Sequence, residues 1–471
     1  MEDANTTAIL VTLVAYKIVL IGFGFFAQRR TRNAEDFFLG GRRVGPLISA
    51  ISASASSSSA WTLMGVSGAA YAWGLGALWI FPACVGGFVL NWVLLAPALG
   101  AHSQKTGALT VTQVLADGHD AKWQSRIRIL ASCIVLLCLG TYVASQFQGA
   151  GKTFATTFNL SMESSITLGA LIVVFYTMMG GYWAVSLTDT LQGLLMALTA
   201  VLLPVAALWK VGGLGPLFAG LGALGNPELL SLTRAMQGPA ALGFVLGLLG
   251  IGLGYPGQPH VVNRFMAMRQ DPDTLRRARI YAICWALVVY GGMLILGWSG
   301  RLLVPALGDQ EVIFIAATKY LFSPVIAGIM LAAVLSAIMS TADSQLLVAA
   351  SSITHDLRSQ SREPAHLLRE SRLVVFLVSA FAVLGALYGD SQIFSKVLFA
   401  WGGMGAAFGP LLLVRVLKGP INAPATFGAM LAGFVLTVVA YSLPELKGGL
   451  MERIVPFAVA LLIANRGTEP S

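Results

Sequence analysis

The sequence predicts an all-α integral membrane protein with about thirteen transmembrane helices, built as an inverted repeat of five plus five helices. Three observations support this fold class. Apolar residues make up 56% of the chain and charged residues 11%, against roughly 25% charged residues in soluble domains. Apolar runs long enough to cross a bilayer recur along the whole chain. Two of these runs are interrupted at corresponding places in the two halves, which is typical of an inverted repeat with a binding site between the breaks.

The apolar runs set the order of the predicted helices. They cover, in chain order, residues 8–27, 46–72, 76–98, 127–150, 163–183, 187–212, 239–258, 279–303, 322–351, 373–389, 392–414, 423–443 and 451–465. No polar stretch between them exceeds about 30 residues, so we expect a single membrane domain over residues 1–471 with no attached enzyme. The first segment is too long for a signal-peptide core and lacks a clear cleavage site, so we expect it to remain as a spanning helix.

The helices divide into two blocks of similar length, each with an interruption in its first helix. We predict an extra N-terminal helix at 8–27, repeat one at 46–212, repeat two at 239–418 and C-terminal helices within 423–465. Because each block contains an odd number of spans, the second block enters the membrane from the opposite side, as an inverted repeat requires.

The first interruption, at residues 52–61, is rich in serine. Five of the six residues at 54–59 are serines. Serine in a membrane helix can bond to a carbonyl one turn back and merely bend the helix. Many hydroxyls beside freed carbonyls also form a set of uncharged oxygen ligands that suits an alkali cation. An unpaired backbone group in hydrocarbon costs several kcal/mol, so such a break persists only around protein, water or a bound ion.

The second interruption, at residues 250–259, contains glycines and the prolines Pro256 and Pro259, which break a helix because proline lacks an amide hydrogen. Tyr255 and Gln258 offer polar side chains beside the unwound backbone, an arrangement that suits a small polar solute. We expect His260 at the inner membrane interface, in a structural role.

A second oxygen-rich patch lies at residues 336–344, where Ser340, Thr341 and Ser344 crowd about one helical turn around Asp343. An aspartate in mid-membrane costs about 2.5–3.5 kcal/mol on insertion scales, so it normally faces the interior. Asp343 is therefore either a structural carboxyl or a cation or proton site. Asp189 is expected near a helix start, where it is either an N-cap or part of an ion site.

The net charge of +9 does not indicate nucleic-acid binding, because the lysines and arginines cluster in alternate loops. By the positive-inside rule this distribution predicts a bacterial-type plasma (inner) membrane protein with its N-terminus outside and its C-terminus inside. The cysteines lie in predicted helices without metal-ligand spacing, so we expect them to be packing residues. They are Cys84, Cys133, Cys138 and Cys284.

These motifs resemble those of the sodium/solute symporter family, and most closely its sodium/proline branch. The resemblance covers nearly the whole chain. It is carried by Leu39-Gly40-Gly41-Arg42, Trp61-Thr62-Leu63-Met64-Gly65, Ala184-Val185-Ser186-Leu187-Thr188-Asp189-Thr190, the run from Gly252 to His260 with Arg264-Phe265-Met266, and the run from Met339 to Leu347.

The resemblance implies the leucine-transporter-like fold, which is a five-plus-five inverted repeat with broken first helices. It implies a main sodium site with ligands from the first broken helix and the helix antiparallel to it, at Ala55, Ser58, Ala337, Ser340 and Thr341. It implies a possible second ion at Asp189, Asp343 and Ser344. It implies solute contacts at Ser57, Trp61, Tyr142, Ile251, Tyr255 and Pro259.

Two positions depart from the pattern of the proline branch. Ser57 stands where that branch has an aspartate tied to sodium binding, and Ile251 stands where it has a tryptophan. The first departure concerns ion affinity and stoichiometry. The second concerns the solute, because an aromatic wall of the pocket becomes aliphatic.

The resemblance implies a secondary active transporter that couples a cation, expected to be sodium, to symport of a small organic solute such as proline. The expected partners are that solute, the sodium ion and the lipid bilayer, with no cofactor besides the coupling ion and no nucleic acid. Two alternatives are a transport-like membrane sensor, which would need a separate signalling partner, and an uncoupled or proton-coupled carrier of another solute.

Overall fold

The computed structural model describes residues 2–28, 42–178, 182–357 and 364–469, and these are almost entirely helical. In chain order the helices are α1 (Glu2–Gln28), α2 (Pro46–Ser57), α3 (Ser67–Trp73), α4 (Ile80–Val89), α5 (Ala96–Thr106), α6 (Val111–Ala116), α7 (Ala121–Phe158), α8 (Met162–Thr177), α9 (Tyr182–Val211), α10 (Leu214–Ala223), α11 (Gly238–Leu249), α12 (Pro259–Ala267), α13 (Pro272–Leu303), α14 (Ile313–Leu321), α15 (Pro324–Ser351), α16 (Pro364–Tyr388), α17 (Ile393–Lys418), α18 (Ala423–Ser442), α19 (Leu450–Arg453) and α20 (Val455–Arg466). The motif residues 39–41 lie outside the described ranges.

The all-helical membrane fold predicted from the sequence is confirmed, and the helix count of thirteen is approximate. Ten described helical stretches are long and apolar enough to cross a bilayer. The predicted spans at 46–72, 163–183 and 451–465 correspond to shorter elements, since the first is broken and the others are helices of 16 and 12 residues. Gly74 separates the predicted spans 46–72 and 76–98. It has φ 56°, and a Cβ there would lie 2.1 Å from the Leu229 carbonyl oxygen, so only glycine fits this turn.

Helix starts follow the local sequence chemistry. The side chains of Asp120, Ser161, Asp271 and Asn422 each accept a hydrogen bond from an amide in the first turn that follows them. These caps supply acceptors for amides that have no partner inside the helix. The membrane helices α7, α8, α13 and α18 therefore begin where the sequence provides a short polar side chain.

The first break is real but narrower than predicted. Helix α2 continues to Ser57, and the chain leaves helical geometry only at Ser58 and the residue after it before a π-helical turn begins at Trp61. The Ser57 hydroxyl donates to the Ser54 carbonyl at 2.9 Å. Back-bonding of this kind is compatible with a continuing helix, so the serines from 52 to 57 do not unwind it.

The second break spans the predicted residues. After α11 ends at Leu249 the chain tightens into 3-10 turns over Gly250–Gly257, becomes extended at Gln258 and re-enters a helix at Pro259. A Cβ on Gly257 would lie 2.3 Å from the Met404 carbonyl oxygen. The break therefore packs directly against the backbone of α17, where the glycines after Trp401 allow a close approach of the two segments.

Two helices organise the interior around these breaks. Helix α15 is buried along most of its length and packs against α1, α2, α7 and α9. Helix α17 packs along the second break and against α7. Of the four cysteines, Cys84 and Cys138 are buried as predicted, whereas Cys133 and Cys284 are exposed on the helix surfaces, so the packing interpretation is wrong for those two.

Candidate ion and solute sites

The predicted sodium ligands converge where α2 ends beside α15. The Ser340 hydroxyl lies 3.3 Å from the Ala55 carbonyl oxygen and 3.3 Å from the Ala337 carbonyl oxygen. The Thr341 hydroxyl donates to the Ser56 carbonyl at 3.1 Å. All these residues are fully buried. Two helices that are distant in sequence thus gather backbone and hydroxyl oxygens at one place.

This group of oxygens fits a hard monovalent cation. Carbonyls are available at the end of α2 because the helix stops there, and unwound carbonyls and hydroxyls are the ligands that transporters use for sodium. The hydroxyl of Ser58 accepts a hydrogen bond from the Trp285 indole nitrogen at 3.0 Å. The carbonyl oxygen of Ser58 and the second lone pair of its hydroxyl oxygen stay available to an ion.

A second polar group, here named the Arg264 cluster, consists of Ser52, Ser56, Asp189, Arg264 and Ser344. The Arg264 guanidinium donates from Nη2 to Asp189 Oδ2 at 2.9 Å and to Ser344 Oγ at 2.6 Å. Its Nε donates to the Ser52 hydroxyl at 3.1 Å, and the Ser56 hydroxyl donates to the same Asp189 oxygen at 3.2 Å. The cluster joins α2, α9, α12 and α15 in the interior.

Asp189 does not cap a helix. It lies within α9, which begins at Tyr182, so the N-cap interpretation is wrong. Its carboxylate reaches across to α2 and α12 instead. His260 is fully buried and its ring lies 5.9 Å from the Tyr142 ring. Its position at the inner membrane interface stays a prediction.

Asp343 has its hydrogen-bond partner outside the Arg264 cluster. Its Oδ1 accepts a hydrogen bond from the Thr177 hydroxyl of α8, and its Oδ2 has no hydrogen-bond partner among the described residues. The two carboxylates of the predicted second ion position therefore have separate partners. The assignment of an ion to Asp189, Asp343 and Ser344 stays a prediction.

The predicted solute residues partly converge on a residue that the sequence did not single out, Trp401 of α17. The rings of Trp61 and Tyr255 lie 4.9 and 4.7 Å from the Trp401 ring. The Tyr255 hydroxyl bonds to the Tyr290 hydroxyl at 2.7 Å. The Tyr142 hydroxyl reaches the first break, where it donates to Ser59 Oγ at 3.2 Å. These residues form an aromatic cluster between the two breaks.

The other three predicted solute residues are placed differently. Ser57 is bonded to its own helix, and Pro259 opens α12 as its first residue. Ile251 lines a small cavity together with Trp401 of α17, Arg453 of α19 and Phe457 of α20. A useful signal for Trp401 was present in the sequence, since it directly precedes the small residues of the run at 402–405.

One end of the aromatic cluster is closed by a buried ion pair, here named the Glu311 latch. Lys152 Nζ lies 2.5 Å from Glu311 Oε2 and 2.7 Å from Asp309 Oδ2. The Glu311 carboxylate also accepts the amides of Ile393 and Phe394 at 3.0 and 2.8 Å, which caps α17. The latch thus ties α7 to the start of α17 beside the Phe394 ring, which lies 5.8 Å from Trp61.

Asp356 joins the chain after α15 to the start of α6. The Thr110 hydroxyl donates to Asp356 Oδ1 at 2.7 Å. Burial raises the pKa of the Asp356 carboxyl to about 7, although hydrogen bonds from Thr110 and Thr112 and the charge of Arg128 act in the opposite direction. The ionised form is therefore disfavoured in the folded protein.

This shift predicts a pH-dependent stability. Between about pH 4 and 7 the unfolded chain has lost a proton that the folded chain still holds, so stability falls as pH rises and levels off above about 7. We expect the melting temperature in detergent to fall from pH 5 to pH 7.5, and the Asp356→Asn variant to lose most of that slope. Asp273→Asn, at an exposed acid of α13, is the matched control and should keep the slope. An equal slope in Asp356→Asn and the parent would contradict the assignment.

The two helix breaks meet at an aromatic cluster, and uncharged oxygens lie together beside the first break. This arrangement defines a secondary transporter. The chain belongs to the sodium:solute symporter family, whose family model matches residues 37–433. It is a transporter and not an enzyme.

Comparisons with known proteins agree with this membership. The chain is 36% identical over 469 residues to the osmoregulated proline transporter OpuE of Bacillus subtilis, covering 97% of this chain and 93% of that one. It is 36% identical over 451 residues to a sodium/proline symporter of Staphylococcus aureus, covering 93% of this chain and 86% of that one.

Solved structures agree on the fold. A Na⁺-coupled sialic acid symporter in a substrate-bound outward-open state superposes with a TM-score of 0.78 at 19% identity, covering 98% of this chain and 97% of that one. Mhp1, a nucleobase-cation-symport-1 family transporter in a closed conformation, superposes with a TM-score of 0.57 at 14% identity, covering 93% of this chain and 95% of that one. The leucine-transporter-like fold predicted from the sequence is thereby confirmed.

Proposed function

We propose that this protein is a sodium-coupled symporter for a small amino acid, with proline as the first candidate. The observation that carries the proposal is the group of buried oxygens from Ala55, Ser56, Ser340 and Thr341 between α2 and α15. These oxygens carry no formal charge, so a monovalent cation suits them. The names of the two relatives that are 36% identical, a proline transporter and a sodium/proline symporter, support proline as the solute.

The chemistry of the aromatic cluster suits a small zwitterion. Trp61, Tyr255 and Trp401 supply apolar faces for an aliphatic side chain. The carbonyl end of α2 favours an ammonium group, and the amide end of α12 favours a carboxylate, because helix ends carry partial charges of opposite sign. The aliphatic Ile251 near Trp401 extends the proposed range from proline to other small aliphatic amino acids.

The coupling follows from the position of the oxygens between two helices. A sodium ion bound there holds α2 against α15, and its release lets the two helices part. Solute that binds beside the same break favours the arrangement in which the ion is held. One positive charge that crosses about 100 mV contributes about 2.3 kcal/mol, which supports roughly fifty-fold accumulation at about 1.4 kcal/mol per tenfold.

We further propose that the N-terminus is outside and the C-terminus inside, in a plasma (inner) membrane. The support is the clustering of Lys and Arg in alternate loops. In this orientation the Glu311 latch closes the outer entrance and the Arg264 cluster lies toward the inner one.

Uptake into proteoliposomes tests the proposal. We expect radiolabelled proline to accumulate above its external concentration when an inward sodium gradient is imposed, and not when choline replaces sodium. Accumulation driven by a proton gradient without sodium would favour the proton-coupled alternative, and equilibration without accumulation would favour an uncoupled carrier. Sodium-dependent binding of proline with no flux would favour a sensor, and each of these three results would overturn the proposal.

A further inference from the structure

We propose that Lys17, on the extra N-terminal helix α1, is a built-in counter-cation for Asp343, so that the second candidate ion position needs no sodium. The proposal rests on the proposed function above. It assigns a role to a charged residue that neither the fold nor the main ion site requires.

Helix α1 is held in register against the helix that carries the main ion ligands. The Tyr16 hydroxyl bonds to the Ser336 hydroxyl of α15 at 2.5 Å. A Cβ on Gly328 would lie 2.9 Å from Thr12, so the two helices are in close contact. The adjacent Lys17 is half-buried, and its ammonium contacts the Met339 sulfur, one helical turn before Asp343.

Asp343 is a buried carboxylate with an unused oxygen. It is fully buried, Thr177 satisfies only Oδ1, and Oδ2 has no hydrogen-bond partner among the described residues. The Lys17 ammonium, at the Met339 side chain, lies one turn of α15 from this carboxylate. A lysine or aspartate in mid-membrane costs about 2.5–3.5 kcal/mol on insertion scales, so each of the two charges lowers the cost of the other.

The same balance holds at the neighbouring carboxylate. Asp189 has its own cation in Arg264, whose Nη2 lies 2.9 Å from Asp189 Oδ2. Two carboxylates are thus matched by two side-chain cations. A sodium ion added to this region would leave one uncompensated positive charge in a medium of low dielectric constant, which is unfavourable. By contrast, the main site consists of neutral oxygens.

The inference predicts one sodium per transport cycle, and Lys17 as the residue that sets this number. In proteoliposomes we expect the sodium dependence of proline uptake in the parent protein to have a Hill coefficient near 1, and equilibrium binding of ²²Na⁺ to saturate at about one ion per protein. In Lys17→Met, where Asp343 is left without its counter-cation, we expect both values to rise toward 2. Lys17→Arg keeps the charge and is the matched control, with values near 1.

A double variant keeps the test decisive if Lys17→Met folds poorly or does not transport. Lys17→Met combined with Asp343→Ser removes both charges, so we expect it to recover uptake and a Hill coefficient near 1. If Lys17→Met is inactive and the double variant does not restore uptake, the inference is wrong. It is also wrong if the parent uses two sodium ions per cycle, or if Lys17→Met is active and still uses one sodium ion per cycle. No sodium-driven uptake by the parent would instead contradict the proposed function itself.

Discussion

Sodium stimulation of uptake is expected to disappear when Ser340 and Thr341 are both changed to alanine. Their hydroxyls lie at 3.3 and 3.1 Å from the carbonyl oxygens of Ala55 and Ser56, where the proposed ion would sit. A hydrogen bond or contact to a charged partner contributes about 1.5–3 kcal/mol, so the loss of two such contacts raises the sodium concentration for half-maximal uptake by about a hundredfold or more. The measurement is initial proline uptake as a function of sodium concentration in proteoliposomes.

Two variants separate this effect from general damage to α15. Ser351→Ala removes a hydroxyl of the same helix that bonds only to its own backbone, and we expect it to keep the sodium dependence of the parent. Thr341→Ser with Ser340 intact retains both hydroxyls and should also respond to sodium. If the double alanine variant responds to sodium as the parent does, the ion does not bind at this position.

Loss of the Glu311 carboxylate is expected to collapse transport for a different reason. Glu311→Ala leaves the buried Lys152 ammonium without this partner and frees the amides of Ile393 and Phe394 from their acceptor. Breaking a buried ion pair by removing one partner costs about 3–5 kcal/mol. The Glu311 latch joins α7 to α17 and closes the proposed outer entrance. Its loss therefore destabilises the conformation in which the outer entrance is closed, and we expect uptake to fall at least tenfold.

Accessibility measurements check the cause. A cysteine introduced by Ser59→Cys, beside the first break, is expected to react faster with a membrane-impermeant maleimide in the Glu311→Ala background than in the parent background. Glu228→Ala is the matched control, because Glu228 is an exposed acid that pairs with Arg234 at 3.4 Å, and it should leave uptake and labelling unchanged. Normal uptake by Glu311→Ala would show that closure of this end does not depend on the latch.

Much of the fold could be predicted from the sequence because it depends on local properties. Apolar runs, proline and glycine act within a helix or at its ends, so the spans and the second break appear in the structure close to where they were predicted. The first break was predicted too wide. The composition of residues 52–57 cannot distinguish a serine that frees a carbonyl from one that, like Ser57, bonds back to it and leaves the helix intact.

The site residues were predictable to a lesser degree. The resemblance to a family supplied Ser340 and Thr341, and the structure brings them to the end of α2. It did not supply Trp401, which forms the centre of the aromatic cluster, or the pairing of Asp189 with Arg264. These contacts depend on the rotation of each helix about its axis, and hydropathy does not specify that rotation in a helix buried on most sides.

The sequence by itself determined the class of this protein, since the bilayer excludes charge and leaves backbone groups no water to bond. Those two constraints act on each segment separately, and they set the approximate positions of the spans and of the second break, while the sequence motifs carried the family likeness. Only the tertiary structure decided which charges meet. The Lys17 ammonium on α1 contacts Met339, one turn before Asp343, and Arg264 crosses from α12 to pair with Asp189. Such pairings arise from the packing of helices that are far apart in the chain.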